Sequence, residues 1–304
     1  MKHFHWLVIL LISLITSIFS FFFVHFTSDN VMLFTATRFF QSYWMSKGVF
    51  PFFSPNMYAG IPYAFDMGLP NFHPFNLLFL IPYPYSYAIF VGCLTLLFLS
   101  GFYKLFHHFS EDRTYSLFLT FVLFFSGSGF IRLANPTVYA TVAHMGWFAY
   151  FLLKLHKGLK KDWFFAILTG ILLTFSGQIP IVIFGYILGL IICVFGKVPW
   201  KKVAIYYGVL FILTSWYFIL SIPLNITSTR MTTSGLYQSV GNLHPLHIIA
   251  YLFPYMFGEL RSGSRWFMDI PYQTYLPILS VLFGLIVMWK SSLKIKALFI
   301  ILFL

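Results

Sequence analysis

Directly after the first apolar stretch the chain reads "TSDN", residues 27–30, and continues as "VMLFTATRFFQSYWMSKG" to Gly48. A carboxylate at a membrane–water boundary, Asp29, can take the proton of an attacking hydroxyl, with the neighbouring amide of Asn30 orienting it. The same residue has a structural use. Ser28 or Asp29 can cap the helix that runs to Lys47 and stops at Gly48. Both uses stand at this point, and they are not exclusive.

A second kind of chemistry is suggested by the arginines. The hydrophobic runs, described below, divide the 19 basic residues 13 to one face and 6 to the other. The larger set is Lys2, Lys104, Arg113, Lys154, Lys157, Lys160, Lys161, Lys197, Lys201, Lys202, Lys290, Lys294 and Lys296, nearly all lysine. The smaller set is Arg38, Lys47, Arg132, Arg230, Arg261 and Arg265, nearly all arginine. Lysine suffices as a topological charge, whereas the planar guanidinium binds phosphate oxygens in pairs and stays protonated. One reading is chance in small numbers; the other is a phosphate handled on the arginine side.

These residues must be held by membrane helices. The chain is 60% hydrophobic, 22% aromatic and 9% charged, which excludes a water-soluble domain and predicts an all-α polytopic membrane protein. The net charge of +12 is spread between apolar runs and not gathered into a groove, so no nucleic acid partner is expected. Cys93 and Cys193 sit inside apolar runs as small hydrophobes, without disulfide or metal spacing.

The spans expected are 5–26, 85–106, 114–127, 138–155, 163–177, 179–196, 203–224 and 273–290, with a ninth beginning near 296. Spans 114–127 and 163–177 are short and read as tilted hairpins that stop before the far headgroups. The first run carries no small-residue cleavage site, which favours a retained helix over a signal peptide. After Lys296 only "ALFIILFL" remains, roughly 12 Å of helix, so a longer protein truncated at its C-terminus is expected. With the N-terminus in the cytoplasm, the lysine-rich face is inside, and two long loops, about 27–84 and 225–272, lie outside a single transmembrane domain. Those loops hold Asp29, Asp66, Glu259 and Asp269; Glu111, Asp112 and Asp162 read as ordinary solvated charges.

The first loop contains "FPFFSPNMYAGIPYAFDMGLPNFHPFNLLF", residues 50–79, in which Pro51, Pro55, Pro62 and Pro70 with Gly60 and Gly68 force turns. Its aromatics serve equally as an interfacial belt or as stacking platforms for sugar rings. This segment after "TSDN" resembles the opening of the YfhO-like bacterial membrane proteins, whose pattern is G-x-x-P-x-W/F-x-P-x-x-x-x-G-x-P and then aromatic-Pro-x-N. "FSGQIP" (175–180) is similar to that family's Gly-x-Pro-Gln turn, with its glutamine displaced. "LHPLHIIAYLFPYMFG" (243–258), followed by Tyr275, resembles its second outer loop.

The resemblance implies the C-type glycosyltransferase superfamily (GT-C): a bacterial cell-membrane enzyme taking a sugar from a polyprenyl-phosphate donor. It also implies a cell-envelope acceptor, such as teichoic acid, a similar wall polymer or a glycolipid. Asp29 occupies the position of that superfamily's characteristic acid. The superfamily's paired acids are replaced here by Asp29-Asn30, a thin ligand set for Mg²⁺ or Mn²⁺, so a divalent cation is possible but not required. Arg38, Arg132, Arg230, Arg261 and Arg265 become candidates for the donor phosphate. Asn30, Asn56, Tyr58, Asp66, His73, Gln178, His244 and Glu259 become candidates for substrate contacts. Two other classes compete. A transporter or lipid flippase would place charged or broken helices at the midplane, where these spans have almost none. A non-catalytic envelope-assembly scaffold would use Asp29 only as a cap.

Overall fold

The structure is a computed structural model, and it describes residues 4–22, 35–55, 60, 63–65, 71–126, 133, 135–177 and 179–226. By its internal contacts the chain divides into two compact units, Met1–Thr120 with Leu133–Leu224, and Phe121–Arg132 with Asn225–Leu304. The fold that follows is that of the first. The described residues are mostly helical and contain no strand.

The helices are α1 Phe4–Phe22, α2 Ala36–Ser46, α3 Tyr85–Ser110, α4 Arg113–Phe124, α5 Pro136–Lys154, α6 Lys160–Thr174, α7 Ile179–Phe195 and α8 Trp200–Ile226. Each of the seven spans expected before residue 225 overlaps a described helix, and α2 ends at Gly48 as the loop helix was expected to. Among the described residues three helices are long and apolar enough to cross a membrane: α1, α3 and residues 200–221 of α8. At 1.5 Å per residue α4 and α6 extend only about 18 and 22 Å, short of the ~30 Å hydrocarbon core.

The packing of α1 is inverted relative to a helix in water. Its buried side is Ile9, Ser13, Thr16 and Ser20, while Leu7, Leu10, Leu11, Leu14, Ile15 and Ile18 face outward. Hydrocarbon offers no hydrophobic reward for burying leucine, so contacts between helices go to small and hydroxyl side chains. Ser13 and Thr16 donate to the carbonyls one turn earlier, at 2.8 Å each, and Ser17 reaches across to the Ala88 carbonyl of α3 at 2.7 Å. A polar group is thereby satisfied without water.

At the centre α3 crosses α5, which also packs on α6 and α7. The two backbones touch where Gly101 meets Gly146: a Cβ at Gly146 would lie 2.6 Å from the Phe102 nitrogen and 2.7 Å from the Gly101 carbonyl carbon. Polar pairs flank the crossing, Trp147 Nε1 donating to Ser100 Oγ at 2.9 Å and Tyr139 to or from Thr95 at 2.8 Å. The start of α5 is fixed by Asn135, whose side chain accepts from the Val138 N–H, with Pro136 at the first helical position. Beyond its other end, Lys202 of α8 donates to the carbonyls of Leu155 and His156 at 3.0 and 2.9 Å, groups a helix end leaves without partners.

One acid departs from its sequence reading. Asp162, expected to be solvated, is only 3% exposed, in the first turn of α6 where the helix dipole favours a negative charge. Asp112 is a cap: its Oδ1 accepts from the Tyr115 N–H at the start of α4.

Candidate functional site in the first loop

The described residues between α1 and α3 are built around a polar centre. On α2 the usual polarity is reversed: Thr37, Arg38 and Gln41 point inward, while Phe39, Tyr43 and Trp44 are exposed. Residues 38 and 41 are three apart on a helix, which puts both on one face. The helix ends as expected, with Gly48 left-handed (φ 77°) and its N–H on the Met45 carbonyl at 3.0 Å. Lys47 lies over the Tyr43 ring, 4.1 Å from its centre.

Arg38 is 1% exposed. Its Nη1 donates to Gln41 Oε1 at 2.6 Å and to Asn76 Oδ1 at 2.8 Å, and its Nη2 to Asn71 Oδ1 at 3.4 Å. Asn71 is the hub: its carbonyl accepts from Gln41 Nε2 (2.8 Å) and Asn76 Nδ2 (2.9 Å), and its own amide donates to the Tyr63 carbonyl. Tyr63, fully buried, closes the ring by donating to the Thr37 carbonyl at 2.8 Å. Burying a guanidinium is costly, and bonds to a charged group, about 1.5–3 kcal/mol each, offset that cost.

His73 adjoins this centre. It precedes a 3₁₀ helix, Pro74–Leu80, and its Nδ1 accepts from the Phe75 N–H at 3.2 Å. Its Nε2 is 3.1 Å from Nε2 of His144, in the middle of α5, and His144 Nδ1 is 2.6 Å from the Ala140 carbonyl. The tautomers follow from the partners. An amide N–H only donates, so Nδ1 of His73 is bare and its hydrogen is on Nε2. A carbonyl only accepts, so His144 carries its hydrogen on Nδ1 and presents a bare Nε2 to His73. Two neutral rings complete the chain. Burial, then His144, then Arg38 hold the His73 midpoint well below the ordinary histidine value.

Aromatic packing fastens the other side of the loop. Phe72 stacks on Phe50 (5.2 Å, 17°) and meets Phe175, just past α6, and Trp216 and Tyr217 of α8, at 5.8, 5.2 and 5.8 Å between ring centres. The aromatics of the loop thus divide by residue. Phe50 and Phe72 pack against the protein, whereas Phe52 and Phe53 remain more than half exposed.

Of the residues singled out from the sequence, the structure brings Arg38 and His73 into one neighbourhood, both in the interior. Asp29, Asn30, Asn56, Tyr58, Asp66, Arg132, Gln178, Arg230, His244, Glu259, Arg261 and Arg265 lie outside the described residues, as do the expected cap of α2 and span 273–290. Gln41, Tyr63, Asn71, Asn76 and His144 were not singled out. The signal for His144 was present, because an ionisable side chain inside an apolar run is a site candidate by itself. Among the described residues no three of His, Cys, Asp and Glu come together as a metal-holding group.

No family model, curated protein or solved structure matches the chain.

Proposed function

We propose that the chain is a membrane glycosyltransferase of the bacterial cell membrane, with eight to nine spanning helices in a GT-C-like arrangement. It moves a sugar from a polyprenyl-phosphate donor to a cell-envelope polymer or glycolipid on the extracytoplasmic face. The observation that carries this reading is the construction of the first loop. The Arg38 centre ties the loop to itself, the His73–His144 bond fastens it to α5, and Phe72 docks it on α8. A loop of this length held so firmly to a helical frame is the usual setting of a site. The resemblance of 48–79 to the YfhO-like pattern and the arginine-rich face support it further.

Asp29 takes the proton of the acceptor hydroxyl as that oxygen attacks the anomeric carbon. The bond from that carbon to the phosphate oxygen breaks, and the lipid phosphate leaves with the electron pair, inverting the centre. Arg132, Arg230, Arg261 and Arg265 receive the phosphate charge. Arg38, already engaged by three amide oxygens, keeps the loop in shape. No cation is required by this scheme, and Asp29 with Asn30 could contribute two oxygens to a Mg²⁺ or Mn²⁺ ion.

Asp29→Asn tests the assignment. Asparagine caps about as well as aspartate but accepts no proton at neutral pH. Transfer of label from a polyprenyl-phosphate sugar should fall at least ~10²-fold with normal membrane insertion. Undiminished transfer would remove Asp29 from the chemistry.

A further inference from the structure

We propose that the His73–His144 hydrogen bond is an acid-sensitive latch, fastening the first loop to α5 while both rings are neutral and giving way in acid to a released, protonated His73. This does not rest on the sugar-transfer reading. It follows from the use of all four ring nitrogens. The only bare nitrogens are His73 Nδ1, facing the Phe75 N–H at 3.2 Å, and His144 Nε2, facing the His73 N–H at 3.1 Å. A proton added to His144 Nε2 sets donor against donor between the rings; one added to His73 Nδ1 sets donor against the Phe75 N–H and buries a charge beside Arg38, so a protonated His73 is better accommodated outside the latch.

The surroundings reinforce the effect. Arg38 of α2 bears on His73 with a like charge. Across from α3 the neighbour is apolar, Phe75 packing edge-on against Phe90 at 6.4 Å. Among the described residues no acid or base of α3, α6 or α8 acts on His73. A metal ion bridging the two rings is disfavoured by the same tautomers, because His73 Nε2 carries the hydrogen that a ligand nitrogen must lack.

The sign is fixed by linkage. A released histidine takes up its proton near pH ~6.5, and the latched one refuses it until lower pH. Above ~6.5 both forms are neutral and the latch has its full strength. Below it, the ratio of released to latched protein rises about tenfold per pH unit through His73, until the latched form itself titrates. Phe72 stays packed on Trp216 by contacts that do not titrate, so release concerns the contact of 73–80 with α5.

Hydrogen exchange of the full chain in lipid nanodiscs reads the latch directly. After correction for intrinsic rates, exchange in 71–80 should be about tenfold faster at pH 5.5 than at 7.5, with residues 145–153 of α5 unchanged. The double substitution His73→Gln with His144→Gln keeps an N–H facing an oxygen and removes both protonation sites. Its exchange should be equal at the two pH values. His144→Phe removes the acceptor and should exchange fast at both. Equal wild-type exchange at the two pH values would overturn the latch. So would an equal loss of protection in α5, or a pH dependence surviving in the double glutamine variant.

Discussion

Gly146→Ala adds a single methyl group at the point where α5 touches α3. The new carbon would stand 2.6 Å from the Phe102 nitrogen and 2.7 Å from the Gly101 carbonyl carbon. Carbon contacts are comfortable at about 3.5–4.0 Å, so the helices must part by roughly 1 Å or tilt about the crossing. Both obstructing atoms are backbone, which cannot swing aside as a side-chain tip can. The cost belongs at the upper end of the ~1–3 kcal/mol usual for overpacking, about 2–4 °C of unfolding midpoint per kcal/mol for a chain of this size. Separation also stretches the Trp147–Ser100 and Tyr139–Thr95 pairs on either side. Gly208→Ala supplies the control, since nothing lies within 4 Å of that Cβ on α8. There the helix gains by up to ~1 kcal/mol. Cys193, which is buried, reports unfolding through a thiol-reactive dye as the detergent-solubilised protein is heated. The midpoint should fall by several degrees for Gly146→Ala and hold or rise for Gly208→Ala. Equal midpoints for wild type and Gly146→Ala would refute the backbone contact.

Arg38→Lys keeps the charge but gives up the fork. At least one charge-assisted bond to Gln41, Asn71 or Asn76 is lost, about 1.5–3 kcal/mol, and the same dye assay should show a lower midpoint. An unchanged midpoint would mean the second arm of the guanidinium contributes nothing. Cysteines introduced at Lys160 and Ser262 should react with a membrane-impermeant reagent from opposite faces of the membrane. Labelling of both in intact cells would overturn the orientation inferred from the lysine–arginine division.

The helices were legible in the sequence because each is an apolar run ended by an unambiguous break: Gly48 after α2, Asn135-Pro136 before α5, Gly158 before α6. Which side of each helix faces inward was not, because in hydrocarbon the leucine-rich face of α1 gains nothing by burial and α2 turns its arginine inward. The site was half legible. Arg38 and His73 stand out by type, but their partners are ordinary amides in "PNFHPFN" and a histidine in a membrane-length helix. Nothing in the spacing of residues 38, 71 and 76 shows that their side chains meet. Asp162 misled for a related reason: nearby lysines in sequence do not say which side chain is covered once α6 packs.

The Arg38 centre also imposes an order on synthesis. Arg38 precedes Asn71 by 33 residues and Asn76 by 38, and His73 precedes His144 by 71. At about 5–20 residues per second, the guanidinium waits roughly 2–8 s for its amides, and His73 roughly 4–14 s for the ring that completes its bond. The Arg38 centre can close once Asn76 is made, whereas the fastening to α5 waits for His144. A nascent chain stalled before residue 144 would therefore carry a first loop gathered around Arg38 but not yet fastened to α5.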